Sequence, residues 1–386
     1  MTQINNEVYA IFGAGKKGKE LKSIIDRHCK DQKVKYFLDN NCMLLGMDVC
    51  DAIVISPARF KMLYDAGDVK GVIIPGQYSY RLVKTMLEQL KDLDVPQEAI
   101  HITPFNVFIK DMRNEITERD VSDIFTNQKD FVQIFNMEFH IVDHCNLNCR
   151  ACNNFSNIVD KEVFVDIESL RKDLLRIHEL VDNVRSIGIM GGEPLLNPNI
   201  NDYIVMTREI FPYSSIHVCS NGLLVKNMDD TFFDTLRENN VRLDLSIYPA
   251  IQKHIDDIMC FLRSKDITVR IHHYAAYMEG GMNLTGESDM YEQSEICTHY
   301  CPSVRDGKIS RCMRSAYIRI FNEKFGLNLP DDGHLDLHDS NLTGKALFEY
   351  LHTPINLCRY CGPHKKFKWC TSAGGAKPED WVGWQK

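Results

Sequence analysis

Between residues 136 and 275 the chain alternates between short apolar segments and longer amphipathic ones, and no other feature restricts the fold as much. "MEFHIVD", "RSIGIM", "SIHVCSNG", "VRLDLSIYP" and "ITVRIHHYA" read as strands. "DIESLRKDLLRIHELVDNV", "INDYIVMTREIF", "DDTFFDTLRENN" and "IQKHIDDIMCFLRSKD" read as the helices between them. In the first helix Asp166 is placed to cap the N-terminus, and Leu170, Leu174, Ile177 and Val181 share one face. A run of strand–helix units predicts a parallel barrel or partial barrel, with functional groups at the C-terminal ends of the strands. The stretches at those ends are "DHCNLNCRACNN", "GGEP", "SNG" and "SIYP".

The first of these stretches holds Cys145, Cys149 and Cys152. Of the 14 cysteines in the 386 residues, five stand alone (Cys29, Cys42, Cys50, Cys219 and Cys260) and read as small buried hydrophobes. The other nine form three groups: Cys145, Cys149 and Cys152; Cys297, Cys301 and Cys312; Cys358, Cys361 and Cys370. The N-terminus lacks the charged, apolar and small-residue blocks of a secretory signal, and no apolar run reaches membrane-spanning length, so a cytoplasmic protein is expected. In that compartment clustered cysteines point to metal or redox chemistry rather than to disulfides. A net charge of −8 argues against general binding to nucleic acid or to an anionic membrane.

A structural zinc site takes four ligands and a disulfide two. Three thiolates on one loop suit a 4Fe-4S cluster in which one iron stays open to a ligand that is not protein. Such a loop is a place for a reaction rather than a staple.

"CNLNCRAC" after one strand and "GGEPLL" after the next resemble the radical S-adenosylmethionine (SAM) superfamily, over residues 136 to about 275. The resemblance implies that Cys145, Cys149 and Cys152 hold a 4Fe-4S cluster whose open iron is chelated by the methionyl amine and carboxylate of SAM. It implies that Gly191, Gly192 and Glu193 hold the SAM amino group, and backbone exposed by glycine beside a carboxylate suits an ammonium. Ser220, Asn221 and Ser246 sit where the family contacts the ribose and carboxylate of SAM. Many members carry an aromatic residue just before the third cysteine, packed near adenine. This chain has Ala151 there, and Phe155 is the candidate to pack adenine in its place.

Residues 1–105 read as a separate Rossmann-like parallel sheet. Gly13, Gly15 and Gly18 follow a strand and open a helix in the G-x-G-x-x-G pattern, and Asp39 ends the next strand, where a ribose-binding acid would sit. The segment either binds a nucleotide or keeps the turn for helix–strand packing alone. Residues 106–135, charged and helical in pattern, read as a connecting element before the barrel of residues 136–290.

Residues 291–386 read as a small cysteine-rich domain. Asp306-Gly307 is a favoured two-residue hairpin turn. A tight hairpin there would bring Cys301 and Cys312 across from each other, with Cβ atoms about 5 Å apart. Cys358 and Cys361 add a second pair. Four thiolates suit either an auxiliary 4Fe-4S cluster or zinc. The layout resembles the shortened auxiliary-cluster ("twitch") domain that follows the barrel in some radical SAM enzymes, rather than the longer "SPASM" form. Cys297 also fits the family's spacing, so the choice between Cys297 and Cys301 stays open, as does the place of Cys370.

The expected architecture is therefore α/β: an N-terminal Rossmann-like sheet, a partial (βα)6 radical SAM barrel and an auxiliary cluster domain. The resemblance implies reductive cleavage of SAM, with electrons from a flavodoxin or ferredoxin, and removal of a hydrogen atom from the substrate. Two substrate classes compete: a carbohydrate, cyclitol or nucleotide-sugar, oxidised or epimerised at a carbinol carbon, and a ribosomal peptide or protein undergoing maturation. The Rossmann-like segment resembles those attached to polysaccharide and nucleotide-sugar enzymes and favours the first. An iron–sulfur sensor that binds SAM without turnover is the non-enzyme alternative. His272, His273, Tyr248, Arg314 and Tyr317 are candidates to line the barrel mouth, and the tryptophans near the C-terminus, Trp381 and Trp384, read as a packed cap.

Overall fold

A computed structural model describes residues 7–78, 80–125, 132–274, 276–297 and 301–383. The chain forms two compact units, Met1–Phe135 and Asn136–Lys386. Among the described residues no helix is long and apolar enough to cross a membrane.

The first unit is a six-stranded sheet in the order Asp48–Val49, Ala52–Ile55, Gln32–Leu38, Glu7–Phe12, Gly71–Ile74, Ile100–Ile102. All neighbours pair in parallel except Asp48–Val49, which runs antiparallel to Ala52–Ile55. The parallel strands lie in the order third, second, first, fourth, fifth, as in the nucleotide-binding Rossmann half. Successive side chains on a strand face opposite sides, and the sheet uses both. Tyr9 and Ile11 enter one core with Leu21, Ile25 and Phe37, while Ala10 and Phe12 enter the other with Phe60, Val83 and Leu90.

The segment 106–135 is no free connector. Helices Phe105–Met112 and Glu118–Phe125 bury Val107, Phe108 and Ile124 in the first of these cores. The expectation of a connecting element leaves these apolar positions out, because charge dominates the composition there.

In the second unit five parallel strands run in sheet order Met137–His140, Ser186–Met190, Ser215–Ser220, Arg242–Ile247, Val269–Tyr274. Helices Ile167–Leu180, Ile200–Ile210, Asp230–Glu238 and Ile255–Ser264 connect them. Asp166 caps the first helix by accepting the Ser169 N–H at 2.8 Å. Ile216 and Val218 are buried, whereas His217 and Cys219, on the opposite face, are half-buried and line the concave side.

A sixth parallel strand comes from elsewhere in the chain. Ser303–Arg305 pairs with Met137–His140 on the free edge and turns back through Asp306-Gly307 into Lys308–Ser310. Both turn residues have positive φ, 48° and 78°, as a type I′ turn requires. The cysteine-rich segment is thus part of the barrel's own sheet and not a detached domain. Its core gathers Tyr317, Ile318, Phe321, Leu357 and Trp381 around Ala151 and Phe155 of the cysteine loop.

Candidate functional site

Three strand ends are laced together around the first cysteine group. After Met137–His140 the chain runs through Val142 and His144 into Cys145. The turn after Ser186–Met190 docks on that stretch: the Gly192 N–H donates to the Val142 carbonyl at 2.8 Å and the Glu193 N–H to the His144 carbonyl at 3.1 Å. A Cβ on Gly192 would lie 2.1 Å from the His144 oxygen, and one on Gly191 2.4 Å from the Val142 oxygen, so both glycines are required by backbone approach. Asn154 closes the loop from the other side, donating to the Gly191 carbonyl at 2.9 Å.

Glu193 is fully buried. One carboxylate oxygen accepts the Ser220 hydroxyl at 2.8 Å and the Leu195 N–H at 3.2 Å, and the other accepts the Asn221 N–H at 2.8 Å. Burial pushes its pKa up to about 7, against the lowering effect of these hydrogen bonds. Asn221 reaches on to the loop, its amide donating to the Asn146 side chain at 2.7 Å. Gly191, Gly192, Glu193, Ser220 and Asn221 therefore assemble with Cys145. Ser246 lies half-buried near the end of the fourth strand, at a register shift between Leu245 and Ser246.

The thiols receive N–H donors, contacts that would tune the potential of a cluster held there. Leu147 N–H donates to Cys145 at 3.3 Å and the Trp369 indole to Cys149 at 3.1 Å. Backbone N–H groups of Ser156, Asn154 and Asn157 point at Cys152. Burial raises all three thiols, Cys149 to about 12. A bound cation reverses that preference, because ligation takes up the thiolates and releases protons.

Phe155 does not face an adenine site. It is fully buried against Phe321 and Trp381, with ring centroids 5.2 and 5.8 Å away, and Ala151 is buried in the same core. The aromatic rings flanking the loop are Trp369 and the half-buried Tyr248, 6.3 Å apart by centroid. Burial raises the Tyr248 phenol well above its ordinary value, and Cys149, Cys152 and Cys145 add to it. Cys370 belongs to this neighbourhood too: its carbonyl accepts the Arg150 N–H at 3.0 Å, and it adds to the raised pKa of Cys149.

The second group assembles without Cys301. The Cys361 thiol, raised to about 11 by burial, lies in the field of Arg314 and of Cys312, Cys358 and Cys297. Cys301 instead donates its thiol to the buried Glu138 carboxylate at 3.3 Å and accepts from the Asn136 amide at 3.1 Å. The hairpin register that would have paired Cys301 with Cys312 ends at Ser303↔Ser310, and Cys312 then caps the helix Met313–Phe325. Cys297, Cys312, Cys358 and Cys361 thus share one neighbourhood, and four thiols there would fit a closed 4Fe-4S or zinc centre.

Of the proposed mouth residues, Tyr317 is buried and stacks on His140 at 3.8 Å. Arg314 is buried beside Cys361, and His272 is exposed. The side chain of His273, like Trp384, lies outside the described residues. Sequence reading missed the pair of Asp143 with Arg305, bidentate at 2.5 and 2.8 Å; against the raising effect of burial, the His140 hydrogen bond and then Arg305 hold the Asp143 carboxyl down at about 2. The two residues are 162 positions apart and share no local signal. On the concave face His217, Cys219 and Asp244 converge within 4.8 Å. Arg242 and Arg270 already neutralise Asp244 there, so a further cation would meet positive charge.

In the first unit Gly13 takes φ +100°, and a Cβ on Gly18 would lie 1.9 Å from the Gly13 oxygen, so both serve the turn's own packing. Nothing lies within 4 Å of a Cβ on Gly15. Asp39 turns onto this loop: its oxygens accept the Ala14 and Asn41 N–H groups, both at 2.9 Å. The Tyr78 hydroxyl stands over Gly13.

A model of the radical SAM superfamily matches residues 139–279. Residues 139–279 are thus a radical SAM domain. It is similar to GTP 3′,8-cyclase of Staphylococcus saprophyticus, 28% identical over 146 residues, which make up 36% of this chain and 43% of that one. GTP 3′,8-cyclase of Staphylococcus haemolyticus is 31% identical over 116 residues, 29% of this chain and 34% of that one. The chain thus spans less than half the length of these curated relatives. Among solved structures, BtrN in complex with AdoMet and 2-DOIA is 16% identical with a TM-score of 0.38, covering 60% of this chain and 93% of that one.

Proposed function

We propose that this radical SAM protein cleaves SAM reductively and removes a hydrogen atom from a carbinol carbon of a carbohydrate, cyclitol or nucleotide-sugar, with oxidation or epimerisation as the outcome. The observation that carries the reading is the lacing of three strand ends around Cys145, Cys149 and Cys152. When bound, a 4Fe-4S cluster would supply one-electron reduction of SAM, and SAM would supply the chemistry of hydrogen abstraction. The chain's own residues do the rest. Cys145, Cys149 and Cys152 would hold that cluster through their thiolates, with room left for SAM as a ligand that is not protein. Glu193, buried among neutral donors only, is offered the countercharge it lacks by the SAM ammonium. Trp369 and Tyr248 are the rings available to adenine.

Cys297, Cys312, Cys358 and Cys361 would hold an auxiliary 4Fe-4S cluster on this reading, and that cluster would offer a one-electron acceptor for net oxidation. The Rossmann-ordered first unit, with open space at Gly15, supports a nucleotide-linked substrate.

Anaerobic reconstitution tests the proposal. About eight irons and eight sulfides per chain are expected for two 4Fe-4S clusters, and 5′-deoxyadenosine should form from SAM and reductant. No 5′-deoxyadenosine sinks the radical reading. Deuterium transfer into 5′-deoxyadenosine from labelled nucleotide-sugars or cyclitols identifies the substrate class. Transfer from a peptide instead replaces the sugar reading with the maturase one.

A further inference from the structure

Two arginines flank the ligand Cys312 in "SRCMRS", and the structure buries both beside other ligands of the auxiliary site. Arg311 is 6% exposed, and its guanidinium donates to the Cys358 thiol at 3.4 Å, to the Leu351 carbonyl at 3.2 Å and to the Ser294 hydroxyl at 2.6 Å. Arg314 is 4% exposed. One of its terminal nitrogens donates to the Gly281 carbonyl at 3.1 Å and to the Cys361 thiol at 3.7 Å. The other donates to the side chain of Asn153, next to Cys152, at 3.1 Å. Its Nε is buried without a partner. Among the described residues no carboxylate pairs with Arg314.

A buried guanidinium needs negative charge close by. Four thiolates around a zinc ion or an oxidised 4Fe-4S cluster carry a net charge of about −2, which matches two guanidinium groups. The donors on the three-cysteine loop are different in kind: Leu147 N–H, the Trp369 indole and backbone N–H groups are all neutral. Cluster potentials follow net charge and hydrogen bonds to sulfur, and a cation against the sulfurs favours the reduced, more negative state. Arg314 touches an auxiliary ligand directly and the radical loop only through Asn153.

We propose that Arg314 and Arg311 set the reduction potential of the auxiliary centre, making it the more easily reduced of the two clusters. This rests on the auxiliary-cluster reading given above. Both are positioning residues that act on the sulfur ligands and not on substrate.

The test is an EPR-monitored redox titration of the reconstituted full chain. A background with Cys145, Cys149 and Cys152 all changed to Ala reads the auxiliary centre alone. In that background Arg314→Gln is expected to change the oxidised-to-reduced ratio at fixed poise about tenfold, 59 mV for one electron, toward harder reduction. Arg311→Gln should shift it in the same direction, and Arg314→Lys should restore most of the wild-type value. In the otherwise native chain the radical centre should move much less than the auxiliary one. An unchanged auxiliary midpoint in both Gln variants overturns the proposal, as does an equal shift of both centres. A failure of the underlying reading looks different: about four irons with one zinc per wild-type chain, and no second EPR signal to titrate, which removes the auxiliary cluster and the proposal together. Should Arg314→Gln not fold, Arg311→Gln and Arg314→Lys still decide it.

Discussion

Single residues carry most of the site's constraint. Gly192 has backbone where a side chain would otherwise go, because the His144 oxygen lies 2.1 Å from its would-be Cβ. Gly192→Ala is expected to lower stability by about 1–3 kcal/mol in urea unfolding and to reduce iron retained after reconstitution. Glu138 gives a pH signature. It is buried, and burial pushes its pKa up to about 7, while the Ser303 hydroxyl and the Cys301 thiol donate to it. The unfolded value is about 4.3. Between the two values the folded chain keeps a proton that the unfolded chain has released, so stability falls as pH rises through that window. Above it the penalty is complete, on the order of 3 kcal/mol. Glu138→Gln should therefore narrow the difference in unfolding free energy between pH 5 and pH 8, measured by denaturant titration, and an unchanged difference would remove Glu138 as its source.

At the scale of elements, the edge strand Ser303–Arg305 decides which cysteines meet. By pairing with Met137–His140 it carries Cys301 to Glu138 and away from the other thiols. Cys297→Ala should cost the chain one metal centre in iron and sulfide analysis, whereas Cys301→Ala should leave the counts at the wild-type value. The reverse result would show that the choice of ligand is wrong. The C-terminal segment is equally committed. Trp381 is fully buried among Phe155, Phe321 and Phe325, and its indole donates to the Cys152 carbonyl at 2.8 Å. Trp381→Ala is expected to cost about 3–5 kcal/mol and to loosen the cysteine loop, which iron loss during gel filtration would register. The sequence marked this tryptophan as a packed cap. The loop it packs on lies 229 residues away and left no trace in its local pattern.

For the whole molecule, residues 136–386 include every cysteine of the two proposed centres and form one compact unit. Expressed alone, that segment should still make 5′-deoxyadenosine from SAM and reductant, and loss of this activity would show that the first unit is needed for the radical step itself. The strands and helices were legible because hydrophobic period and strand-to-helix alternation are local properties, and both sheets followed from them. The radical loop was legible for the same reason: its three thiols, and the glycines that let the next turn approach, lie in short contiguous stretches. What the tertiary structure alone decided are relations between distant residues. It joined the hairpin to the first barrel strand, set Cys301 against Glu138 and Cys297 in the field of Cys361, buried Phe155 in a core and set Arg311 and Arg314 against sulfur. Such choices depend on which side chain finds a partner or a void across the fold. Desolvation and packing settle them only once the chain has closed around them.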